Sequence, residues 1–377
     1  MATTGVHNAL ALEAEDVATR LKDVFAQQQA ELSYDSARLD GNDVVLEGVT
    51  VRGNEAEEDF PLGTLTLQDV SERQDGSFLV GTLAIDDLEH QEEDITITLA
   101  DMVVSDLILP AEGAEDPFGG VARYGRMEIA QFDVQGKDGS IASASNIYAS
   151  TETSEEDLTM DASGGVEAFS LNLGSLVEEG KGAAMLKELG YEEISGSAVM
   201  EGTWHASDGR LTLSQYEMTV DDAGALTVEL DLAGYTPEFI RSLEELAQQD
   251  GGDGDMQGMA MMGLMQQLTF HGAAIGFTDD SLAGKVLDYM ADQQGGSSAD
   301  IIAQAKAAIP PQLTPFVGAD LAGNIAQAVS AFLENPDNIQ ISARPESPLP
   351  FVMLVGAAMA SPEMLVQQIG LTVEANQ

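Results

Sequence analysis

Cysteine is missing altogether, so the chain has no disulfides, no thiolate nucleophile and no thiolate metal ligand. Basic residues are scarce: 15 Lys and Arg stand against 65 Asp and Glu, a formal net charge of −50. That balance excludes the basic stripe that holds nucleic acid, and it makes an anionic lipid surface a poor electrostatic partner. No run of about 20 apolar residues occurs, the length a helix needs to cross a bilayer. The longest candidate, Leu349 to Ala360, is interrupted by Pro350 and Gly356, so no transmembrane segment is expected. The opening Met-Ala-Thr-Thr-Gly has neither the basic flank nor the apolar stretch of a secretory signal. Either the protein is cytoplasmic or a signal has been cut away. The many paired β-segments fit the second better, which places the protein in the periplasm or another extracytoplasmic space.

Chemical motifs are equally thin. There is no G-x-S-x-G elbow, no phosphate-binding P-loop and no G-x-G-x-x-G opening a helix, which removes the usual support for hydrolase, nucleotide and dinucleotide chemistry. The four histidines, His7, His90, His205 and His271, stand in separate contexts without metal-ligand spacing. Each reads as an ordinary strand or loop histidine. The sequence therefore predicts a protein that is not an enzyme and carries no cofactor. The acidity fits a salty or extracytoplasmic setting, where screening over roughly 8 Å limits self-repulsion, with a calcium-loaded surface protein as the alternative. Two calcium readings of the loop Asp250-Gly251-Gly252-Asp253-Gly254-Asp255 fail on spacing. A nonapeptide repeat needs an acid where Met256 stands, and an EF-hand begun at Asp253 has Leu264 where a bidentate Glu is required.

What the chain does have is alternation. With 44% hydrophobic residues it can build real cores. From Arg210 the series Leu211, Leu213 climbs to a turn at Asp221-Asp222-Ala223-Gly224 and returns through Leu226, Val228, Leu230 and Leu232, with Thr227, Glu229 and Asp231 between. Strand side chains alternate faces, so this is a hairpin with one apolar and one acidic face. The apolar series slips to Tyr216, Met218 and Val220 on the first arm, which predicts a bulge near Ser214-Gln215. Asp-Gly steps at Asp40-Gly41, Asp75-Gly76, Asp138-Gly139 and Asp208-Gly209 mark further hairpin corners. Between them Val45 to Val51, Phe78 to Ile85, Ile95 to Leu99, Met102 to Leu109, Met127 to Val134 and Ile141 to Tyr148 read as strands.

Helical spacing of Leu10, Ala14, Val17, Leu21 and Phe25 predicts an amphipathic helix over Asn8 to Leu32. Ala111 to Gly120 reads as a loop. Leu176 to Leu189 suggests a helix before a strand at Ile194 to His205, and Thr236-Pro237 opens another helix with an N-cap and a proline at the first helical position. Gln248 to Gly258 reads as a polar flexible loop, and Leu268 to Phe277 as a strand. Helices follow near Ser281 to Gln293, Ala299 to Ala308 and Leu321 to Leu333. Asn338 to Ala343 and Phe351 to Val355 read as strands, and Ser361-Pro362-Glu363 begins a last helix. The fold class is α+β: a long, curled antiparallel sheet, a meander of hairpins, with amphipathic helices packed on its apolar face. Residues 1–170 form the helix plus β-meander, and 171–377 an α+β half.

One patch stands out for binding. Met256, Met259, Met261, Met262 and Met265 are denser than chance packing provides. Thioethers are adaptable apolar filler, they can hold Cu(I) with His271 as an extra ligand, and they can line a promiscuous apolar groove. The short acidic strands Val44 to Val51 and Gly63 to Leu67, with the junction Leu232-Ala233-Gly234-Tyr235-Thr236 into a helix, resemble AsmA-like and YdgA-like bacterial envelope proteins. That resemblance implies a periplasmic protein with a long curled sheet and a hydrophobic inner surface, linked to lipid handling or outer-membrane upkeep. No catalytic residues carry over from it. Three functions follow as expectations: a carrier for lipid or another apolar ligand, an adaptor binding envelope proteins, and a metal-binding protein using Cu(I) or calcium.

Overall fold

The computed structural model describes residues 12–53, 59–111, 117–118, 123–177, 180–247 and 254–377, with the side chains of 244, 247 and 254–257 excepted. Contacts divide the chain into one unit of residues 1–116 and 120–131 and another of 117–119 and 132–377.

The first unit begins with α1 (Ala14–Gln27) and β1 (Ala30–Ser33), β2 (Ser36–Asp40) and β3 (Asp43–Gly53). It continues through β4 (Phe60–Gln68), β5 (Ser71–Glu72), β6 (Phe78–Ile85), β7 (Leu88–Glu92) and β8 (Ile95–Leu109). All pairings are antiparallel. β1 and β2 share one edge of β3, β4 takes its other edge, and β6 and β8 follow. β5 extends the rank of β4 along β6, and β7 extends the rank of β6 along β8. The result is a meander in which several ranks are broken into two short strands. Period-two alternation puts Val44, Leu46, Leu65, Leu67, Leu83 and Val104 on one face, and that face is closed by Val17, Ala18, Leu21 and Val24 of α1. Each fully buried Leu or Val contributes on the order of 1.5–3 kcal/mol. Arg20 of α1 stacks on Phe78 and donates to the carbonyl of Pro110 at 2.6 Å, pinning the helix down.

The helix expected over Asn8 to Leu32 stops earlier than its pattern. Gln29 takes φ +60°, and Ala30 already pairs with Gly53. Sheet hydrogen bonds here outweigh the helical spacing, while residues 8–11 lie outside the described ones. The two strands expected at Ile95 to Leu99 and Met102 to Leu109 are one, β8, which kinks at Asp101 with φ +50°.

β9 (Arg126–Gly136) contains the division. Then come β10 (Gly139–Ser154), β11 (Thr159–Asn172), α2 (Leu173–Leu176), α3 (Lys181–Leu189), β12 (Glu193–His205), β13 (Arg210–Val220) and β14 (Gly224–Ala233). They are followed by α4 (Pro237–Ala247), α5 (Gly254–Met265), β15 (Thr269–Asp279), α6 (Leu282–Gln294), α7 (Ser298–Val317) and α8 (Ala319–Glu334). The chain closes with β16 (Asn338–Ala343), β17 (Leu349–Pro350), α9 (Phe351–Ala360), α10 (Pro362–Gln368) and β18 (Leu371–Ala375). From β10 to β16 each strand pairs antiparallel with the next, and β18 adds beyond β16. All four Asp-Gly steps sit at hairpin corners. The register shifts around Ser214 and Gln215, where the slip in apolar spacing predicts it. Thr236 caps α4, its Oγ1 accepting from the Phe239 amide at 3.2 Å.

Three expectations are corrected in this unit, and one strand is added. Gln248 to Gly258 is not a loop throughout, because α5 starts at Gly254 despite its glycines; residues 248–253 lie outside the described ones. The helix expected over Ala299 to Ala308 runs on through Pro310, Pro311 and Pro315 to Val317, held by packing against α8 and α10 although each interior proline disfavours a helix by about 3 kcal/mol. Phe351 to Val355 is helical, not a strand, since Pro350 ends the two-residue β17 and the Leu, Ala and Met that follow favour a helix in spite of Gly356. β18, too short to announce itself by period, is an added strand whose register is set by β16.

Candidate ligand-binding face

The register of the second unit aligns apolar side chains into rows that cross the strands. Met160, Trp204, Leu211, Leu232, Phe270 and Leu349 form one such row. A second runs from Leu213 through Leu230, Ala273 and Ala343 to Leu371, and a third from Val228 through Ile275 and Ile341 to Val373. A fourth joins Ala198, Met218, Leu226, Phe277, Ile339 and Ala375. Because strand side chains alternate, all four rows project from one face.

The outer rows are covered. Trp204 is buried against Phe118, rings 6.2 Å apart, and its indole donates to the Tyr235 carbonyl at 2.8 Å; Tyr235 in turn stacks on the buried Phe239 of α4. Phe270 meets Phe351 of α9 edge-on at 6.3 Å. At the other margin Phe277 meets Phe332 of α8 in the same way, and Val220 joins the cluster of Leu189 and Tyr191 with α6. The inner rows are not covered to the same degree. Ile275 is 53% exposed and Ile341 48%, and Val228 and Leu230 are half-buried. The face is thus an apolar trough, its floor open and its two margins roofed by helices. Monomers rarely leave a contiguous apolar patch of this kind without a use for it.

The opposite face is polar and built from weak, solvated pairs. Asp161 accepts from Thr203 at 2.6 Å, Ser150 and Ser163 bond at 2.8 Å, and Arg210 grips Asp231 with two bonds at 3.1 and 2.9 Å. The Asp231 hydrogen bond and charge push the Arg210 guanidinium further up from its already high value. A shallow depression there is lined by Thr212, Glu229, Asp231, His271 and Arg344.

The methionine patch falls on α5 rather than on a loop. Met259 is 67% exposed, Met261 and Met262 are also exposed, Met265 is half-buried, and the Met256 side chain lies outside the described residues. α5 touches α9, which begins at the Phe270 end of the trough, so the patch adjoins that end. His271 is placed on the polar depression, whose lining includes none of these methionines. Among the described residues no three of His, Asp and Glu come together as a metal group. His205 pairs with Arg210 at the hairpin corner, His90 stacks on Phe60 at 5.0 Å, and His7 lies outside the described residues.

Sequence reasoning missed one constellation. The hydroxyl of Ser281, the Tyr191 hydroxyl (2.7 Å) and the Lys285 amine (3.2 Å) all donate to the carbonyl of Asp222, and Lys285 lies 4.4 Å over the Tyr191 ring. These residue types serve acyl transfer when the amine accepts the serine proton. Here the serine proton goes to a backbone carbonyl, so the group latches α6 to the β13–β14 turn. Ser281 and Lys285 stand one helical turn apart, but Tyr191 is 94 residues before Lys285, so no local spacing signals the group.

A family model described as "Uncharacterized protein" matches residues 217–376, from the latter part of β13 into the last residues of the chain. No curated protein matches the chain.

Proposed function

We propose that this protein is a non-enzymatic extracytoplasmic carrier that shelters an apolar chain, such as the acyl chain of a lipid, on the open floor of the trough. The half-exposed Ile275 and Ile341 at the centre of an otherwise roofed apolar face carry the reading. With about half of each side chain already buried, an apolar guest that covers the rest recovers roughly half of the 1.5–3 kcal/mol of full burial, about 1 kcal/mol each. The acidic opposite face keeps the loaded protein dispersed.

The test has two parts. An organic extract of the purified protein, analysed by mass spectrometry, should contain lipid. A fluorescent fatty acid should bind, and Ile275→Asp combined with Ile341→Asp should weaken it by about tenfold or more, roughly 1.4 kcal/mol or more. Ile275 and Ile341 are cross-strand partners, so two carboxylates there repel; Ile275→Ser with Ile341→Ser is the uncharged control, and thermal melting of both variants checks the fold. An empty extract together with unchanged probe affinity in the variant removes the reading.

A further inference from the structure

Charge is spread densely over this chain, yet residues 256–278, 307–319 and 347–362 have no Asp, Glu, Lys or Arg. The fold gathers them. They supply most of α5, the end of α7 and all of α9; α5 touches α9, α9 touches α10, and α10 touches α7. A side chain at Gly318, just past α7, would collide with Glu363 of α10, so the last pair is in close contact. This crown of helices presents Met259 and Met262 from α5, Phe316 from α7, Met353 and Met359 from α9 and Met364 from α10, all exposed, with Met359 at 85%.

α9 is the telling element. It is apolar all round, and none of its residues is buried. Such a helix belongs in a core or in hydrocarbon. At ten residues it is about 15 Å long, half the thickness of a bilayer core, so it reaches into one leaflet without crossing. The crown also lacks the tryptophan, tyrosine and arginine anchors that carry protein interfaces. Lys and Arg, which bind interfacial helices to anionic lipid, are absent from α5, α9 and α10. With −50 charges behind it, the crown suits an uncharged membrane surface and no other.

We infer that the α5–α9–α10 crown docks on zwitterionic lipid bilayers and is the mouth through which an apolar chain passes between membrane and trough. The mouth rests on the carrier reading; the docking rests on the crown alone. Phe351, at the start of α9 and stacked on Phe270, joins the two surfaces.

Flotation with phosphatidylcholine vesicles tests the docking, alongside fatty-acid uptake in solution. The full chain is expected to float with the vesicles, and to float less when part of the lipid is replaced by phosphatidylglycerol at low salt. Met353→Asp with Met359→Asp is expected to cut the bound fraction at least about tenfold while uptake by the trough and the thermal melting profile stay unchanged. Absence of flotation, or a variant that floats as well as the native chain, overturns the inference. So does light scattering that finds a dimer broken by the variant, which would assign the crown to a second copy. Flotation without uptake supports the docking and removes the carrier reading, so the two failures are distinguishable.

Discussion

Gly209 and Gly234 show what single residues settle. Gly209 sits at φ +65° and Gly234 at φ +91°. A Cβ on the first would lie 2.4 Å from the Tyr235 nitrogen, and on the second 2.0 Å from the Gln267 carbonyl oxygen. Together they let the β12–β13 corner bond to the exit of β14, the Gly234 amide to the Asp208 carbonyl at 3.1 Å and the Tyr235 amide to that of Gly209 at 2.9 Å. Gly234→Ala should therefore destabilise the second unit by on the order of 3 kcal/mol, combining left-handed strain with a backbone displaced from contact. Urea unfolding followed by Trp204 fluorescence reads the shift; an unchanged midpoint would contradict the account. The Asp208-Gly209 corner is legible in the sequence because turn chemistry is local. The demand on Gly234 comes from a carbonyl 33 positions further on, and nothing beside it announces that.

Among elements, α7 combines a legible start with an illegible end. Ser297 and Asp300 form a capping box: Ser297 Oγ accepts from the Asp300 amide at 3.3 Å, and the Asp300 carboxylate accepts from the Ser297 amide at 2.9 Å and its hydroxyl at 2.7 Å. Hydrogen bonds from the Ser297 hydroxyl, then from its amide, hold the Asp300 carboxyl below its ordinary value. A lowered carboxyl contributes its stability fully above the unfolded value and loses it as pH falls through the folded one. Asp300→Asn should lower the melting temperature at neutral pH, and the gap from the native chain should close as the pH drops below the normal aspartate range. A gap that widens in acid would refute the assignment. The far end of α7 passes through Pro310, Pro311 and Pro315 because neighbours hold it, and α9 is a helix where the spacing reads as a strand. Short apolar runs have no period long enough to choose between the two, so packing chooses.

At the scale of the whole molecule, 65 acidic groups share one surface with 15 basic ones. Among the described residues most ion pairs are exposed, as in Arg38 with Asp40 at 3.3 Å and Arg126 with Glu128 at 2.8 Å, and exposed pairs contribute little. Net self-repulsion should then govern the response to salt. The melting temperature is expected to rise as sodium chloride is raised from low ionic strength, where the screening length is about 30 Å, to 1 M, where it is about 3 Å. A flat or falling trend would show that local pairs, not net charge, dominate.

Taken by itself, the sequence determined the hairpin corners, the alternation of apolar and acidic faces, the bulge at Ser214 and the capped start of α4, because each is written within a few neighbouring residues. It also determined that the methionines of α5 are apolar and close together. Only the tertiary structure decided that Ile275 and Ile341 stay half in water while Phe270 and Phe277 are roofed, and that three uncharged stretches meet in one crown. The reason is physical: an apolar side chain has the same identity whether it is covered or not, and its cover is supplied by segments tens of residues away.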